Sequence, residues 1–256
     1  MIDLHNHIID ESEIDNLNWE KIMETACFAV GEGVEHIVWT PEIYSRKDLA
    51  QLDKYHHLTE VLQQNLNDNG YPVTASLGAD LHLLRADRTI FKTLKQSLSV
   101  NYLIVSLASH MRPDHLDEII LNIVEQGLIP IIAHPEQYFW LKEEYCRIFH
   151  LIELGAWIQI TSDSLLGMLG PQAEMLARRL LKDGLVHLVA SETHSLDYKA
   201  PLMGEARHRV EKILTKKETD NIFHNRAAAL INNQSLDEIP IPPGILAHWS
   251  EKEVSV

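Results

Sequence analysis

The sequence predicts an α/β fold in which parallel strands and helices alternate and close into a barrel-like arrangement. Short apolar segments alternate with longer amphipathic ones along most of the chain, and several amphipathic runs end at a glycine, the usual C-terminal helix signal. Several short segments are apolar throughout, which is typical of parallel strands buried on both faces. Seven strand segments before residue 233 favour one barrel domain, residues 1–233, followed by a C-terminal tail, residues 234–256.

The predicted elements follow one another without a linker rich in serine or glycine. The strand candidates are residues 2–5, 36–40, 74–78, 102–106, 130–134, 157–161 and 185–191. The helical candidates are residues 18–31, 114–127, 142–154, 171–181 and 201–214. Trp19, Ile22 and Ala26 illustrate the helical spacing of apolar residues on which these predictions rest. The stretch after residue 234 is expected to be a tail or a contact within a homo-oligomer.

Composition limits the classes of partner. The 256 residues carry 22 basic and 37 acidic side chains, a net charge of −15, which argues against nucleic acid or an anionic membrane as the main partner. The sequence has neither a signal-peptide pattern nor an apolar run long enough to insert into a membrane, so we expect a cytoplasmic protein. Cys27 and Cys146 lie in helix-like runs and are predicted to be buried in a reducing compartment.

Polar side chains follow the predicted strands at the point where each strand ends. His5 and His7 end the first strand, and residues i and i+2 of a strand point to the same side. The later strand ends carry Glu42, Asp80, His82, His110, Arg112, His134, Glu192 and His194. The sixth strand ends instead in Gln159-Ile160-Thr161. Because functional groups of parallel barrels gather at the C-terminal ends of strands, we expect these side chains to converge.

Imidazole nitrogen and carboxylate oxygen are ligands of Zn, Mn and Fe. A carboxylate among histidines can bridge two ions, and ions about 4 Å apart promote phosphoester hydrolysis. The sequence therefore predicts a site for several metal ions. His56 and His57 are expected to be solvated, and His187 to be hydrogen-bonded in the core. His82 shares the facing of Asp80, and its residue pattern leaves open whether it supports the site or has no role.

Five segments carry a resemblance to a known family. The segments M-I-D-L-H-N-H, V-E-H-I-V-W-T-P, L-G-A-D, L-I-P-I-I-A-H-P-E-Q-Y and L-V-H-L-V-A-S-E-T-H resemble, in order and spacing, the PHP (polymerase and histidinol phosphatase) superfamily. Within it, the sequence is most similar to the metal-dependent protein-tyrosine phosphatases of bacterial capsule and exopolysaccharide clusters, the CpsB/YwqE type. The resemblance implies a distorted (β/α)7 TIM-like barrel that holds two to three divalent ions, Mn or Fe, with Zn also compatible.

The resemblance also implies which residues hold the ions. The first ion would be held by His5, His7, Asp80 and Glu192, and the second by Asp80, His134 and His110. A third would use His194, Glu42 and an acidic residue from positions 10–15. A metal-bridging hydroxide would attack phosphorus, and the residues expected to take part in catalysis are Asp80, His134, Lys199 and Arg112.

The sequence departs from the family pattern at several positions. Glu42 stands where the family has a histidine, which makes the third ion site more anionic. Gln137 and Lys199 stand where the family usually has arginines that grip phosphate, and Arg112 could compensate. These departures are compatible with an active phosphatase of altered metal preference. The alternative is a divergent member that acts on another phosphoester or has little activity, and for metal binding we prefer the first interpretation.

Three functions follow from the resemblance and its departures. The leading prediction is a protein-tyrosine phosphatase whose partner is the phosphotyrosine-containing C-terminal tail of a kinase that controls polysaccharide export. An alternative enzyme would hydrolyse a small phosphorylated metabolite, as histidinol-phosphate phosphatases do. A third alternative is a non-catalytic, metal-binding regulator that keeps the fold.

Overall fold

The computed structural model describes residues 1–82, 87–107, 114–197 and 199–254, except for the side chains of residues 249 and 251–254. Two predicted site residues, His110 and Arg112, lie outside the described residues.

The strand segments of the described residues all pair in parallel. They are β1 (Ile2–Asn6), β2 (His36–Trp39), β3 (Glu42–Ile43), β4 (Thr74–Leu77), β5 (Asp80–Leu81), β6 (Tyr102–Val105), β7 (Ile129–Ala133), β8 (Trp157–Thr161) and β9 (Leu188–Ala190). Parallel strands need long crossovers, and mostly helical segments form them here. The predicted last strand, residues 185–191, is longer than the observed one. Ile158 N donates to the side chain of His187 instead of to a backbone carbonyl, so the ladder between β8 and β9 begins only at Leu188.

The strand segments form a ring of seven positions. The hydrogen-bonded orders are β1-β2-β4 and β3-β5-β6-β7-β8-β9, and only two residues separate β2 from β3 and β4 from β5. Each of these pairs therefore occupies one strand position. Across the remaining gap, Glu192 N donates to His5 O over 2.8 Å and His7 N donates to Thr193 O over 2.6 Å. The fold is thus a distorted (β/α)7 barrel, as the family resemblance implies.

The breaks in the second and third strand positions shape the site. Pro41 has no N–H group to continue a ladder, and a Cβ on Gly78 would lie 2.9 Å from Val38 Cγ1. Beyond these two breaks the chain resumes in the other sheet, where Glu42 and Asp80 pair in register. The breaks thus bring two carboxylates side by side at the C-terminal edge of the barrel.

The helices of the described residues surround this ring. They are α1 (Trp19–Gly31), α2 (Leu52–Asp68), α3 (Arg88–Leu98), α4 (Leu116–Glu125), α5 (Phe139–Glu143), α6 (Arg147–Glu153), α7 (Ser162–Leu166), α8 (Pro171–Lys182), α9 (Met203–Val210), α10 (Lys216–Asp220), α11 (Arg226–Ile231) and α12 (Pro243–Val254). Asn18 caps α1 and Asp87 caps α3 by accepting hydrogen bonds from backbone N–H groups. Short 3-10 turns, among them Glu11–Glu13 and Pro135–Gln137, join the helices to the strands.

Two predictions about the helices and cysteines are wrong. The single helix expected over residues 142–154 is interrupted, because the backbone leaves helical geometry at Glu144 and the Tyr145 hydroxyl bonds Asp183 at 2.6 Å. Cys27 and Cys146 are exposed rather than buried. Cys27 lies outside the buried face of α1, and Cys146 precedes the first residue of α6.

The segment after residue 233 packs on the barrel. The fully buried Arg226 donates to Pro240 O over 2.6 Å and pairs with Glu218 Oε1 at 2.7 Å. Ile239 and Ile245 are also buried. Among the described residues, no helix combines the length and apolar character needed to cross a bilayer.

Candidate metal centre

Two buried imidazoles at the end of β1 form the inner part of the site. His5 is 0% exposed and His7 is 2% exposed, and their Nε2 atoms lie 3.0 Å apart. The register of β1 shifts between Asp3 and Asn6, an irregularity of the kind that redirects side chains. Asp3 supports this bend as a structural residue, since its carboxylate accepts hydrogen bonds from Ser191 N and from Asn6 Nδ2.

Gln159 fixes the orientation of His5. It pairs in register with Ala133 of β7 and Leu188 of β9, and its Oε1 lies 3.1 Å from His5 Nδ1. When Nδ1 carries the proton and donates it to this oxygen, Nε2 keeps its lone pair and faces His7. Such a partner sets the tautomer of a metal-binding histidine. The sequence marked this strand end as lacking a ligand, and the structure shows that it carries a residue that orients one.

Asp80 lies at the centre of the site. Its Oδ2 atom is 3.4 Å from His5 Nε2, 4.0 Å from His7 Nε2 and 2.9 Å from Ser106 Oγ. Its Oδ1 atom is buried without a hydrogen-bond partner. An unpaired buried carboxylate oxygen is costly, and a bound cation would satisfy it.

Glu192 and His134 close the opposite side. Glu192 Oε1 lies 3.3 Å from His134 Nε2, and Glu192 Oε2 accepts a hydrogen bond of 2.5 Å from Lys199 Nζ. Both residues have a positive φ, 53° for Glu192 and 37° for His134. Non-glycine residues adopt this conformation at a cost and chiefly where surrounding contacts enforce it, as at functional sites. Ser106 Oγ, at 3.3 Å from His134 Nε2, links this pair to Asp80.

A more open group of side chains lies beside Asp80. His82 Nε2 is 2.9 Å from Asp80 Oδ2 and 3.4 Å from Glu42 Oε1. The Tyr44 hydroxyl donates to Glu42 Oε2 over 2.9 Å, and the Tyr44 ring stacks on His82 with centroids 4.7 Å apart. Glu11 Oε1 accepts a hydrogen bond from Glu42 N, which makes Glu11 the member of positions 10–15 that reaches this group.

His194 stacks on His7, one of the inner side chains of the site. Its ring is nearly parallel to that of His7, with centroids 4.6 Å apart.

Among the described residues, two sets of side chains present ligand atoms that all lie within 4.8 Å of one another. They are His5, His7 and Asp80, and Glu42, Asp80 and His82. Nitrogen and carboxylate donors at these separations fit Mn, Fe or Zn.

Comparison with known proteins identifies the family. The model of the capsular polysaccharide synthesis family CpsB/CapC matches residues 1–232. The chain belongs to the CpsB/CapC family. The tyrosine-protein phosphatase YwqE of Bacillus subtilis is 28% identical over 251 residues, which cover 95% of this chain and 96% of the relative.

Solved structures agree with this family membership. A structure described with YwqE from Bacillus subtilis and CpsB from Streptococcus pneumoniae, metal-dependent tyrosine phosphatases, superposes with a TM-score of 0.79 at 25% identity. The match covers 94% of this chain and 99% of that one. A histidinol phosphate phosphatase from Lactococcus lactis shares the fold, with a TM-score of 0.51 at 13% identity over 87% of this chain and 94% of that one.

Burial favours the neutral form of three imidazoles at the site of this CpsB/CapC chain. It lowers the pKa of His134 and of His194, and burial together with the neighbouring His5 holds the pKa of His7 well below its usual value. Burial also opposes the charged form of His5, but the Asp80 carboxylate and other nearby acids outweigh it and raise that pKa. Neutral imidazoles present free lone pairs, which metal binding requires.

The carboxylates divide into two kinds. Burial opposes the ionisation of Asp80 and Glu192, yet their cationic and imidazole neighbours hold both pKa values below the usual range. Burial, with a contribution from Glu42, raises the pKa of Glu11 to about 7. The inner carboxylates are therefore ionised and suited to hold a cation.

The structure brings most predicted site residues together. His5, His7, Asp80, His134, Glu192, His194, Glu42 and Lys199 lie in one connected cluster. Gln137 is partly buried, and its Nε2 atom has no hydrogen-bond partner. Gln159 and Tyr44 were missed as contributors to the site. The strand-end position of Gln159 was the available signal, whereas nothing local marks Tyr44.

Proposed function

We propose that this chain is a metal-dependent protein-tyrosine phosphatase. The observation that carries the proposal is the convergence of His5, His7, Asp80, His134 and Glu192 at one end of the barrel of a CpsB/CapC family member. Relatives of nearly the same length are named tyrosine phosphatases, and the similarity extends along almost the whole chain.

The proposed ion assignments follow the clusters of donor atoms. The first ion would be held by His5, His7, Asp80 and Glu192. The second would use Asp80 and His134, with His110 supplied from outside the described residues. The third would lie between Glu42 and His194, with Glu11 as the acid from positions 10–15. We propose Mn or Fe as the metal, with Zn as an alternative, and two to three ions per chain.

The protein's own residues have distinct parts in the reaction. When bound, the ions lower the pKa of water and polarise the phosphoryl group. Asp80 is shared between the inner and outer groups and so fixes their separation. Gln159 orients His5 through Nδ1. Lys199 neutralises Glu192 and places a cation in contact with the inner cluster. Lys199 presents a point charge to an incoming phosphate rather than the bidentate fork of an arginine.

The proposed substrate is a phosphotyrosine side chain on a flexible protein segment, such as the tail of a capsule-cluster kinase. The net charge of −15 disfavours a strongly acidic partner, so the residues that flank the phosphotyrosine should not be predominantly acidic. We propose that the enzyme meets this substrate in the cytoplasm.

A phosphatase assay with matched variants tests the proposal. Chelator-stripped protein is reloaded with Mn²⁺ and assayed on a phosphotyrosine peptide and on a small phosphomonoester. His5→Ala and His134→Ala should abolish turnover of both substrates while circular dichroism shows a retained fold. His56→Ala is the control, because His56 lies on α2 and bonds Ser97 away from the site.

Each result has a defined consequence. Turnover of the peptide that depends on Mn²⁺ and on His5 supports the proposal. Turnover confined to small phosphomonoesters would favour the metabolite phosphatase instead. Metal binding without turnover of either substrate would favour the non-catalytic regulator.

A further inference from the structure

The group formed by Glu42, Asp80 and His82 follows from the pairing of two short strands. Glu42 and Asp80 are direct partners in the parallel ladder between β3 and β5, so their side chains point to the same side. His82 is two residues beyond Asp80 and extends the ladder, since His82 N donates to Ile43 O over 3.0 Å. The alternate residues Ile43 and Leu81 point into the core. The pleat therefore places three potential ligands on one face.

The separations of the donor atoms fit one cation. His82 Nε2 lies 2.9 Å from Asp80 Oδ2 and 3.4 Å from Glu42 Oε1, and one ligand atom from each of the three residues lies within 4.8 Å of the others. Ligands bound at about 2.1 Å around one tetrahedral or octahedral ion lie about 3.0–3.4 Å apart. Asp80 also has a buried Oδ1 atom without a partner, which is free to bind a second ion.

Neighbouring residues hold this group in place. The Tyr44 hydroxyl donates to one oxygen of Glu42 and leaves the other facing His82, and the Tyr44 ring stacks on the imidazole. Such supporting contacts are typical around metal ligands. The side chains of His82 and Glu42 are 26% and 32% exposed, so an ion here would have coordination positions open to solvent and to a phosphate group.

We propose that the third ion, the one assigned above to Glu42, is held by Glu42, Asp80 and His82, with His82 as a direct ligand. This inference rests on the proposed function, and it adds a ligand that the family resemblance does not assign. Asp80 is then shared between this ion and the inner ions proposed above.

Titration with Co²⁺ tests the proposal without an activity readout. Chelator-stripped full-length protein is titrated by calorimetry, and His82→Gln is compared with wild type. Glutamine can still donate to Asp80 but is a poor ligand for a transition metal. The variant should lose one ion per chain, or bind its weakest ion more than about 100-fold less tightly, since loss of a merely supporting partner costs only about 10–100-fold. His56→Gln is the matched control and should titrate like wild type.

Three further variants distinguish ligation from support. His82→Cys loaded with Co²⁺ should show a thiolate-to-cobalt charge-transfer band that is absent from wild type, whose Cys27 and Cys146 are exposed and unchanged. Glu42→Gln should weaken binding of the same ion as His82→Gln does. Because both residues would hold one ion, the loss of binding free energy in the double variant should not exceed the sum of the two single losses.

The possible failures can be told apart. A wild-type protein that binds no Co²⁺ would overturn the proposed function together with this site. A wild-type protein that binds Co²⁺, with an unchanged titration in His82→Gln or no charge-transfer band in His82→Cys, would overturn this inference alone.

Discussion

Replacing Gln159 by leucine should weaken metal binding without destabilising the metal-free protein. Gln159 is fully buried, and its Oε1 atom lies 3.1 Å from His5 Nδ1. Leucine has nearly the same size but cannot accept the proton of His5. The imidazole then loses the contact that selects its tautomer and ring orientation, although every proposed ligand remains in place.

The expected magnitude comes from the same contact. Losing the partner of a metal-bound histidine lowers metal affinity about 10–100-fold, or about 1.4–2.8 kcal/mol. In the metal-free fold the buried His5 Nδ1–H group is left without an acceptor, which costs about 1–3 kcal/mol. The substitution also removes the buried Nε2 group of Gln159, whose lack of a partner destabilises the wild-type fold by about 1–3 kcal/mol. These two changes offset each other, so the free energy of unfolding should hardly change.

Calorimetric titration of chelator-stripped protein with Mn²⁺, together with urea unfolding in chelator, measures both quantities. The control is Gln64→Leu, because Gln64 lies on the exposed face of α2 and its side chain donates to Asp68, away from the site. Wild-type Mn²⁺ affinity in Gln159→Leu would refute the orienting role of Gln159. A loss of several kcal/mol in the metal-free protein would show instead that Gln159 mainly stabilises the fold.

Three other predictions concern buried ionisable side chains. Arg226→Met should lower the free energy of unfolding, measured in urea, by about 3–5 kcal/mol, because it leaves Glu218 without its buried partner. The control Lys212→Met, which changes an exposed side chain, should leave this free energy nearly unchanged. Burial and a nearby guanidinium hold the pKa of His187 well below its usual value, so the unfolded chain takes up a proton there first. The free energy of unfolding should therefore fall as pH drops below about 6.5. In His187→Asn this fall should be shallower by up to about 1.4 kcal/mol per pH unit, and parallel curves of unfolding free energy against pH for the two proteins would contradict the prediction. Lys199→Met should lower kcat/KM for a phosphotyrosine peptide by about 10-fold or more, since a charge-assisted hydrogen bond to Glu192 is lost, and Lys199→Arg should recover part of it.

The inner part of the site was predictable from sequence for a physical reason. Parallel strands bring their C-terminal ends to one edge, so residues that directly follow strands must approach one another. His5, Asp80, His134 and Glu192 all satisfy this condition, and the structure places them in contact. The local pattern alone was sufficient because each residue is fixed by the end of its own strand.

Other features depend on contacts between distant parts of the chain. The role of Gln159 requires the register of β8 against its neighbours, which no local pattern encodes. The break between α5 and α6 depends on Tyr145 reaching Asp183, 38 residues away. The pairing of Glu42 with Asp80 depends on two strand breaks that coincide across the sheet. The exposure of Cys27 depends on which face of α1 meets the barrel.

The most direct test of the metal centre is metal content measured against phosphotyrosine turnover on the same sample. Protein reloaded with Mn²⁺ should hold two to three ions per chain, and turnover of a phosphotyrosine peptide should rise with loading and disappear in chelator. In His5→Ala both the ion content and the turnover should fall. Turnover that persists in chelator, or a protein that binds no metal at saturating Mn²⁺, would contradict the proposal that these strand ends form a catalytic metal centre.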